Sequence, residues 1–158
     1  MAVLRGGLLN QNQVEAGRVM LDVAPRVLRA ETNVLAALDM PLTHRQYRIL
    51  YRIGTGMTSL TAISRAASIS VAAISESAEG LLNRGLLDRE IDEHDRRASR
   101  LSLTLEGRKA VDTAEQALDE LAHGIAANLT KTQLSALKDA LALVNSNVKT
   151  YLLEGLAD

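Results

Sequence analysis

Cysteine is absent from this chain, which removes disulfides, zinc fingers, iron–sulfur ligation and thiol-based redox sensing together. Tryptophan and phenylalanine are absent too, and tyrosine occurs only at Tyr47, Tyr51 and Tyr151. The core must therefore be built from Leu, Ile, Val, Ala and Met, a composition that favours helices over strands. No apolar run approaches the length needed to cross a bilayer. Met1 to Asn10 lacks the charged start, long apolar core and cleavage site of an export signal, so a cytoplasmic protein with no membrane partner is expected. Bulk positive charge is missing as well: the formal net charge is −1. Its distribution is uneven, because Arg96, Arg97 and Arg100 fall together, whereas the stretch after Ala110 carries mostly acids and a few lysines. A local basic element thus sits inside a near-neutral protein.

The 158 residues suffice for one domain with a real core and are too few for two comfortable ones. From Gln11 to Asp39 two apolar rows recur at helical spacing: Met20, Val23, Val27, Val34 and Leu38, then Leu21, Leu28 and Leu35. Two apolar faces need two partners, and Pro25 is expected either to bend this helix or to mark its effective start. Thr43 and Gln46 have the spacing of a capping box opening a second helix, whose buried side is Tyr47, Leu50 and Ile53. Gly54-Thr55-Gly56 then reads as a turn, because no strand precedes it as a phosphate cradle requires.

From Thr58 two short helices meet at a tight corner, Leu60, Ile63 and Ala67 on the first, then Ser70 as cap with Ile74, Ala78 and Leu81 on the second. This is helix-turn-helix spacing. After Arg84-Gly85 the period changes to two, and runs around Leu87–Ile91 and Arg100–Leu103, joined by a charged stretch, predict a hairpin. Thr104 caps a long helix with Val111, Leu118, Leu121 and Ile125 on one side. Thr130 and Gln133 form a further capping box, beyond which Leu134, Leu137, Leu141, Val144, Val148 and Tyr151 alternate three and four apart. Such rows ask for a helical partner, within the chain or in a second copy.

The string Asp95-Arg96-Arg97-Ala98-Ser99-Arg100-Leu101-Ser102-Leu103-Thr104-Leu105-Glu106-Gly107 resembles the MarR-family pattern in which Asp-x-Arg precedes a strand and then Leu-Thr-x-x-Gly. Leu42-Thr43-x-x-Gln46-Tyr47-x-Ile49-Leu50 resembles the same family's upstream signature, and the element order is similar over nearly the whole chain. The resemblance implies a mainly α fold: a winged helix-turn-helix with a small β-hairpin wing, flanked by N- and C-terminal dimerisation helices. On that reading residues 42–104 form the DNA-binding core and residues 11–39 and 108–155 the dimerisation arms of one domain spanning 1–158.

The hairpin points to DNA on physical grounds as well. An arginine at the tip of a two-stranded ribbon can enter the minor groove, where negative potential is concentrated, while its neighbours hold phosphates. Arg97 is the expected inserted residue, oriented by Asp95, with Arg96 and Arg100 beside it; a solvated ion-pair cluster on an exposed turn is the alternative. The second helix of the corner should offer Ser70, Val71, Ala72, Ala73, Ser75 and Glu76 to the major groove. Its front lacks the Arg or Lys that reads guanine in a bidentate pair. Against the family pattern, Glu76 stands where a basic residue is frequent and Ala73 where Thr or Ser is common. Affinity would then rest on the wing, on shape readout and on Arg65 and Arg84 near the DNA backbone.

The resemblance also implies a small aromatic or phenolic anionic effector in a crevice between the arms and the winged helix. His44, Arg45, Tyr47, Arg48 and Tyr51 combine the fitting cationic, hydrogen-bonding and aromatic groups; the alternative is a core Tyr47 with solvated arginines. No catalytic, metal or cofactor site is expected, since His44, His94 and His123 lack ligand spacing and no nucleophile elbow is present. The expected function is that of a ligand-responsive repressor binding double-stranded DNA as a homodimer on a pseudo-palindromic operator. The rival is a winged helix protein-interaction module with weak DNA recognition.

Overall fold

The structure, a computed structural model, describes residues 10–91 and 99–154. The order is α1 (Gln11–Ala36), α2 (His44–Gly54), α3 (Leu60–Ala67), α4 (Val71–Asn83), β1 (Leu87–Ile91), β2 (Ser99–Leu103), α5 (Leu105–Ala126) and α6 (Lys131–Glu154). Two compact units result, one comprising Ala30–Ala122 and the other the described parts of Met1–Arg29 and His123–Asp158. The core-bearing unit thus takes in the end of α1 and most of α5.

Local chemistry sets the helix starts in the core-bearing unit. Thr43 Oγ1 accepts from the Gln46 backbone N–H at 3.1 Å, and Gln46 Oε1 accepts from the Thr43 N–H at 3.0 Å, completing the capping box that the spacing predicts. Such a cap contributes about 1 kcal/mol. The Ser70 hydroxyl caps α4 by accepting from Ala73 N–H at 3.3 Å, and Thr104 caps α5 by accepting from Gly107 N–H at 2.9 Å. For α3 the cap is Ser59, which accepts from Ala62 N–H. Thr58 is used elsewhere: its carbonyl accepts from the Leu101 N–H at 3.1 Å and so extends the hairpin edge.

The corner between α3 and α4 is closed by two serines. Ser68 adopts the left-handed conformation (φ 53°), which costs a non-glycine residue about 1 kcal/mol. Buried Ser64 holds the bend by donating its hydroxyl to the Ile69 carbonyl at 2.6 Å. α4 packs against α2, α3 and β1, and its buried stripe is Ile74, Ala78 and Leu81. Gly85, at φ 68°, ends it, and the Leu86 N–H reaches back to the Leu81 carbonyl at 3.0 Å.

β1 and β2 form an antiparallel pair with Leu87 opposite Leu103, Arg89 opposite Leu101 and Glu90 opposite Arg100. Leu87, Leu101 and Leu103 are buried, whereas Arg89 pairs with Glu79 on α4. The strand alternation expected for Leu87, Arg89 and Ile91 therefore holds the hairpin by an apolar contact at one position and an ion pair at the next. Leu35, Ile49, Leu50, Ile63, Leu81, Leu86 and Leu101 are fully inaccessible. Each such side chain contributes about 1.5–3 kcal/mol of transfer free energy.

Among its described residues the other unit is helical apart from residue 10 and the turn at 127–130. α1 runs unbroken from Gln11, so Pro25 does not mark the helix start; it sits inside the helix. Ahead of it the Asp22 carbonyl accepts from the Arg26 guanidinium at 2.7 Å. α6 begins with the predicted Thr130–Gln133 box. None of this unit's described residues is buried, and Leu21, Val23, Leu137, Leu141, Leu143, Val148 and Tyr151 stand exposed. Two long helices that leave so many aliphatic side chains open present apolar surface for a partner.

Candidate nucleic-acid interface and the tyrosine side of helix α2

At the front of α4, Val71 and Ala72 are exposed, Ala73 and Ser75 half-buried and Glu76 exposed. The Ser70 hydroxyl is already engaged as the helix cap, so its oxygen serves α4 before any ligand. The leading surface is small, nearly apolar and acidic at Glu76, as the sequence indicates.

The cations expected beside it fall into three groups. Arg65, in the last turn of α3, is exposed and has no ion pair among the described residues. Arg84 is an internal tie: its guanidinium donates to the Pro41 carbonyl at 2.8 Å and towards Gln46 Oε1 at 3.4 Å, linking the end of α4 to the start of α2. Arg100 is exposed on β2, opposite Glu90 in the ladder. Asp95, Arg96 and Arg97, with His94, lie outside the described residues.

The candidate effector residues divide between two faces of α2. His44, Tyr47, Arg48 and Tyr51 recur at three- and four-residue steps, and Arg45 stands exposed beyond them. Tyr47 is buried and Tyr51 exposed, and their rings lie 6.0 Å apart at 41°. His44 Nδ1 is 3.0 Å from Glu31 Oε1 on α1, close enough for an ion pair but without hydrogen-bond alignment. Burial first, and the Glu115 carboxylate second, hold the Tyr47 phenol above the ordinary tyrosine value, so it stays neutral across the physiological range.

Three groups here escaped the sequence reading. Glu31 and Glu115 lie on other helices, and nothing local in α1 or α5 marks them as neighbours of α2. Arg52 does continue the Arg45 and Arg48 spacing, which was the available signal. Its guanidinium points towards the Ala66 carbonyl at 3.4 Å, and burial first, then Arg48, lower it from the ordinary arginine value.

Residues 28–98 match the sequence model of the MarR family. A search of curated proteins returns no match. Among solved structures, the transcriptional regulator BldR of Sulfolobus solfataricus is 18% identical with a TM-score of 0.75, covering 88% of this chain and 99% of its own. FabT of Streptococcus pneumoniae, in complex with DNA, is 16% identical with a TM-score of 0.77 and the same coverage. A mutant of Escherichia coli MarR complexed with operator DNA is 21% identical with a TM-score of 0.71, over 87% of this chain and 99% of that one. These likenesses establish a shared winged helix fold that includes the capped α2, the α3–α4 corner and the hairpin. The family match covers 71 of the 158 residues, from the last part of α1 past β1, and it is over this segment that the chain resembles the MarR family.

Proposed function

We propose that this chain is a cytoplasmic, sequence-specific DNA-binding transcriptional regulator that works as a homodimeric, ligand-responsive repressor on a pseudo-palindromic operator. The observation that carries the reading is the placement of α4. Its buried stripe is anchored on three elements, while Val71, Ala72 and Glu76 at its front stay exposed beside the unpaired Arg65. A helix held from behind with its N-terminal end open is the arrangement that enters a major groove. The DNA-bound structures of FabT and the E. coli MarR mutant support the assignment by likeness of fold.

Homodimerisation follows from the arms, since the exposed aliphatic rows of α1 and α6 suit a second copy, and one domain of 1–158 would then combine reading and pairing. Two α4 helices about one DNA turn apart would read a palindrome together. No helix among the described residues is long and apolar enough to cross a membrane. An effector that prefers the DNA-incompetent spacing would release the operator by a population shift of a few kcal/mol. The resemblance implies an aromatic or phenolic anion for that role, with Arg45 and Arg48 as its cationic partners. Base readout by Ser70, Val71, Ala72, Ala73, Ser75 and Glu76 is modest in donors, so the wing residues Asp95, Arg96, Arg97 and Arg100 and the phosphate contacts of Arg65 supply most of the affinity. Arg84 acts through its tie to Pro41.

The test is a fluorescence anisotropy titration against DNA from upstream of the chain's own gene, with random DNA as competitor. If a dimer makes about six phosphate contacts, affinity should fall roughly a thousandfold between about 50 and 200 mM salt. Arg97→Ala should weaken specific binding by roughly tenfold or more. Sedimentation should show a dimer. Salt-insensitive binding, or an unchanged Arg97→Ala variant, would favour the second reading, a winged helix that binds protein; the donor-poor front of α4 and the internal engagement of Arg84 are the observations on its side.

A further inference from the structure

Helix α2 carries three arginines on one side. Arg45, Arg48 and Arg52 follow one another at steps of three and four residues, which makes them neighbours on the helix surface, their Cβ atoms about 5–6 Å apart. Arg45 and Arg48 are exposed and Arg52 is half-buried, and none of the three makes an ion pair among the described residues. The Glu31 carboxylate, which reaches the start of α2, is turned to His44 instead. Arg48 and Arg52 are close enough for the positive charge of the first to act on the second. A row of like charges on a helix is unfavourable by itself, and an anion relieves it.

The place where this row ends is the second observation. The Arg52 guanidinium donates to the Ala66 carbonyl at 3.4 Å, so it lies against the last turn of α3. Ala66 is followed closely by the left-handed Ser68 and by Ser70, the cap of α4. Arg65, exposed and without an ion pair among the described residues, stands in the same turn of α3. The arginines of α2 thus lead to the end of α4 whose front is open. From Arg45 to Arg52 the helix advances about 10 Å, and one DNA strand presents a phosphate about every 3.4 Å of axis. A strand lying along α2 would bring about three phosphates to three guanidinium groups.

We propose that Arg45, Arg48 and Arg52, continued by Arg65, hold the sugar-phosphate backbone of one DNA strand beside the major groove that α4 enters. The inference rests on the DNA-binding reading and adds to it a second set of backbone contacts, on a helix that does not itself enter a groove. Guanidinium groups meet phosphate oxygens through paired N–H donors, and such contacts fix register without reading sequence. An anionic effector on Arg45 and Arg48 would occupy the same groups, so effector and strand exclude each other there.

The full chain and its Arg45→Gln/Arg48→Gln double variant are titrated by fluorescence anisotropy at several salt concentrations. One duplex comes from upstream of the chain's own gene, and a random duplex of the same length is the second. Both positions are exposed, so the thermal midpoint of the variant should match that of the parent chain. Each phosphate contact contributes about 0.9 to the slope of log affinity against log salt, so the slope should flatten by about 1.8 per chain on both duplexes. The ratio of the two affinities should not change, because backbone contacts carry no sequence information. Arg45→Lys with Arg48→Lys should keep most of the parent slope. Lys131→Gln with Lys149→Gln, at exposed positions of α6, removes the same net charge and should leave the slope as it is. An unchanged slope in the arginine variant, an equal flattening in the lysine variant, or a loss confined to the gene's own duplex would overturn the proposal while DNA binding itself stands. A parent chain that binds neither duplex would remove the DNA-binding reading, and this proposal with it.

Discussion

Gly107→Ala is expected to lower the unfolding free energy by about 3 kcal/mol, although alanine is the better helix former. Gly107 lies in the first turn of α5, and a Cβ placed there would meet the Leu86 carbonyl oxygen at 2.0 Å and its carbon at 3.0 Å. Neither atom belongs to a flexible side chain. Leu86 is fully buried, its N–H is bonded to the Leu81 carbonyl and its own carbonyl accepts from Thr104. Relief would therefore require moving the α4–β1 turn or the start of α5. In contrast, Gly124 in the same helix has nothing within 4 Å of its built Cβ. There the helix preference should win, and Gly124→Ala should raise stability by about 0.5–1 kcal/mol. Urea unfolding followed by circular dichroism gives both signs at once; a Gly107→Ala midpoint equal to or above that of the parent chain would show that the contact is relieved at no cost.

Leu81→Ala should cost a comparable amount, about 2–5 kcal/mol, by leaving a cavity behind α4. Leu81 is fully inaccessible, and α4 is the element that packs against α2, α3 and β1 together. A domain of ordinary stability, about 5–15 kcal/mol, would survive this with its thermal midpoint lowered by about 10 °C. The exposed Leu105 supplies the comparison: Leu105→Ala should change stability by no more than about 0.5 kcal/mol. Similar midpoints for the two variants would mean that α4 is not anchored through Leu81.

Much of the fold was legible because its signals are local. The Thr43–Gln46 and Thr130–Gln133 boxes, the Ser70 and Thr104 caps and the hairpin over Leu87–Leu103 each depend on residues within a few positions or on a two-residue period. Tertiary structure added what no local signal marked: the Thr58 carbonyl accepts from the Leu101 N–H, while Ser59 caps α3. Pro25 stays within α1, whose remaining backbone bonds carry the helix past it.

The candidate site was less legible, and Arg84 shows why. Its partners Pro41 and Gln46 lie about forty residues earlier, so no spacing rule could pair them. Tyr47 reads correctly as an amphipathic residue at helical spacing, but its neighbours Glu31 and Glu115 come from α1 and α5. The sign of charge around the tyrosines was consequently open until the helices were assembled.

By itself, then, the sequence determined which segments become helices and strands, where most of them begin, and that the front of α4 is poor in base-reading donors. These properties are settled by side-chain hydrogen bonds and apolar periods that act over one or two turns of chain. Only the tertiary structure decided that Gly107 must lack a side chain, that Arg84 is spent on an internal tie, and that Glu31 and Glu115 act on Tyr47. Each of these depends on atoms brought within a few ångströms from distant parts of the chain, where steric contact and Coulomb forces act on distance in space and take no account of distance in sequence.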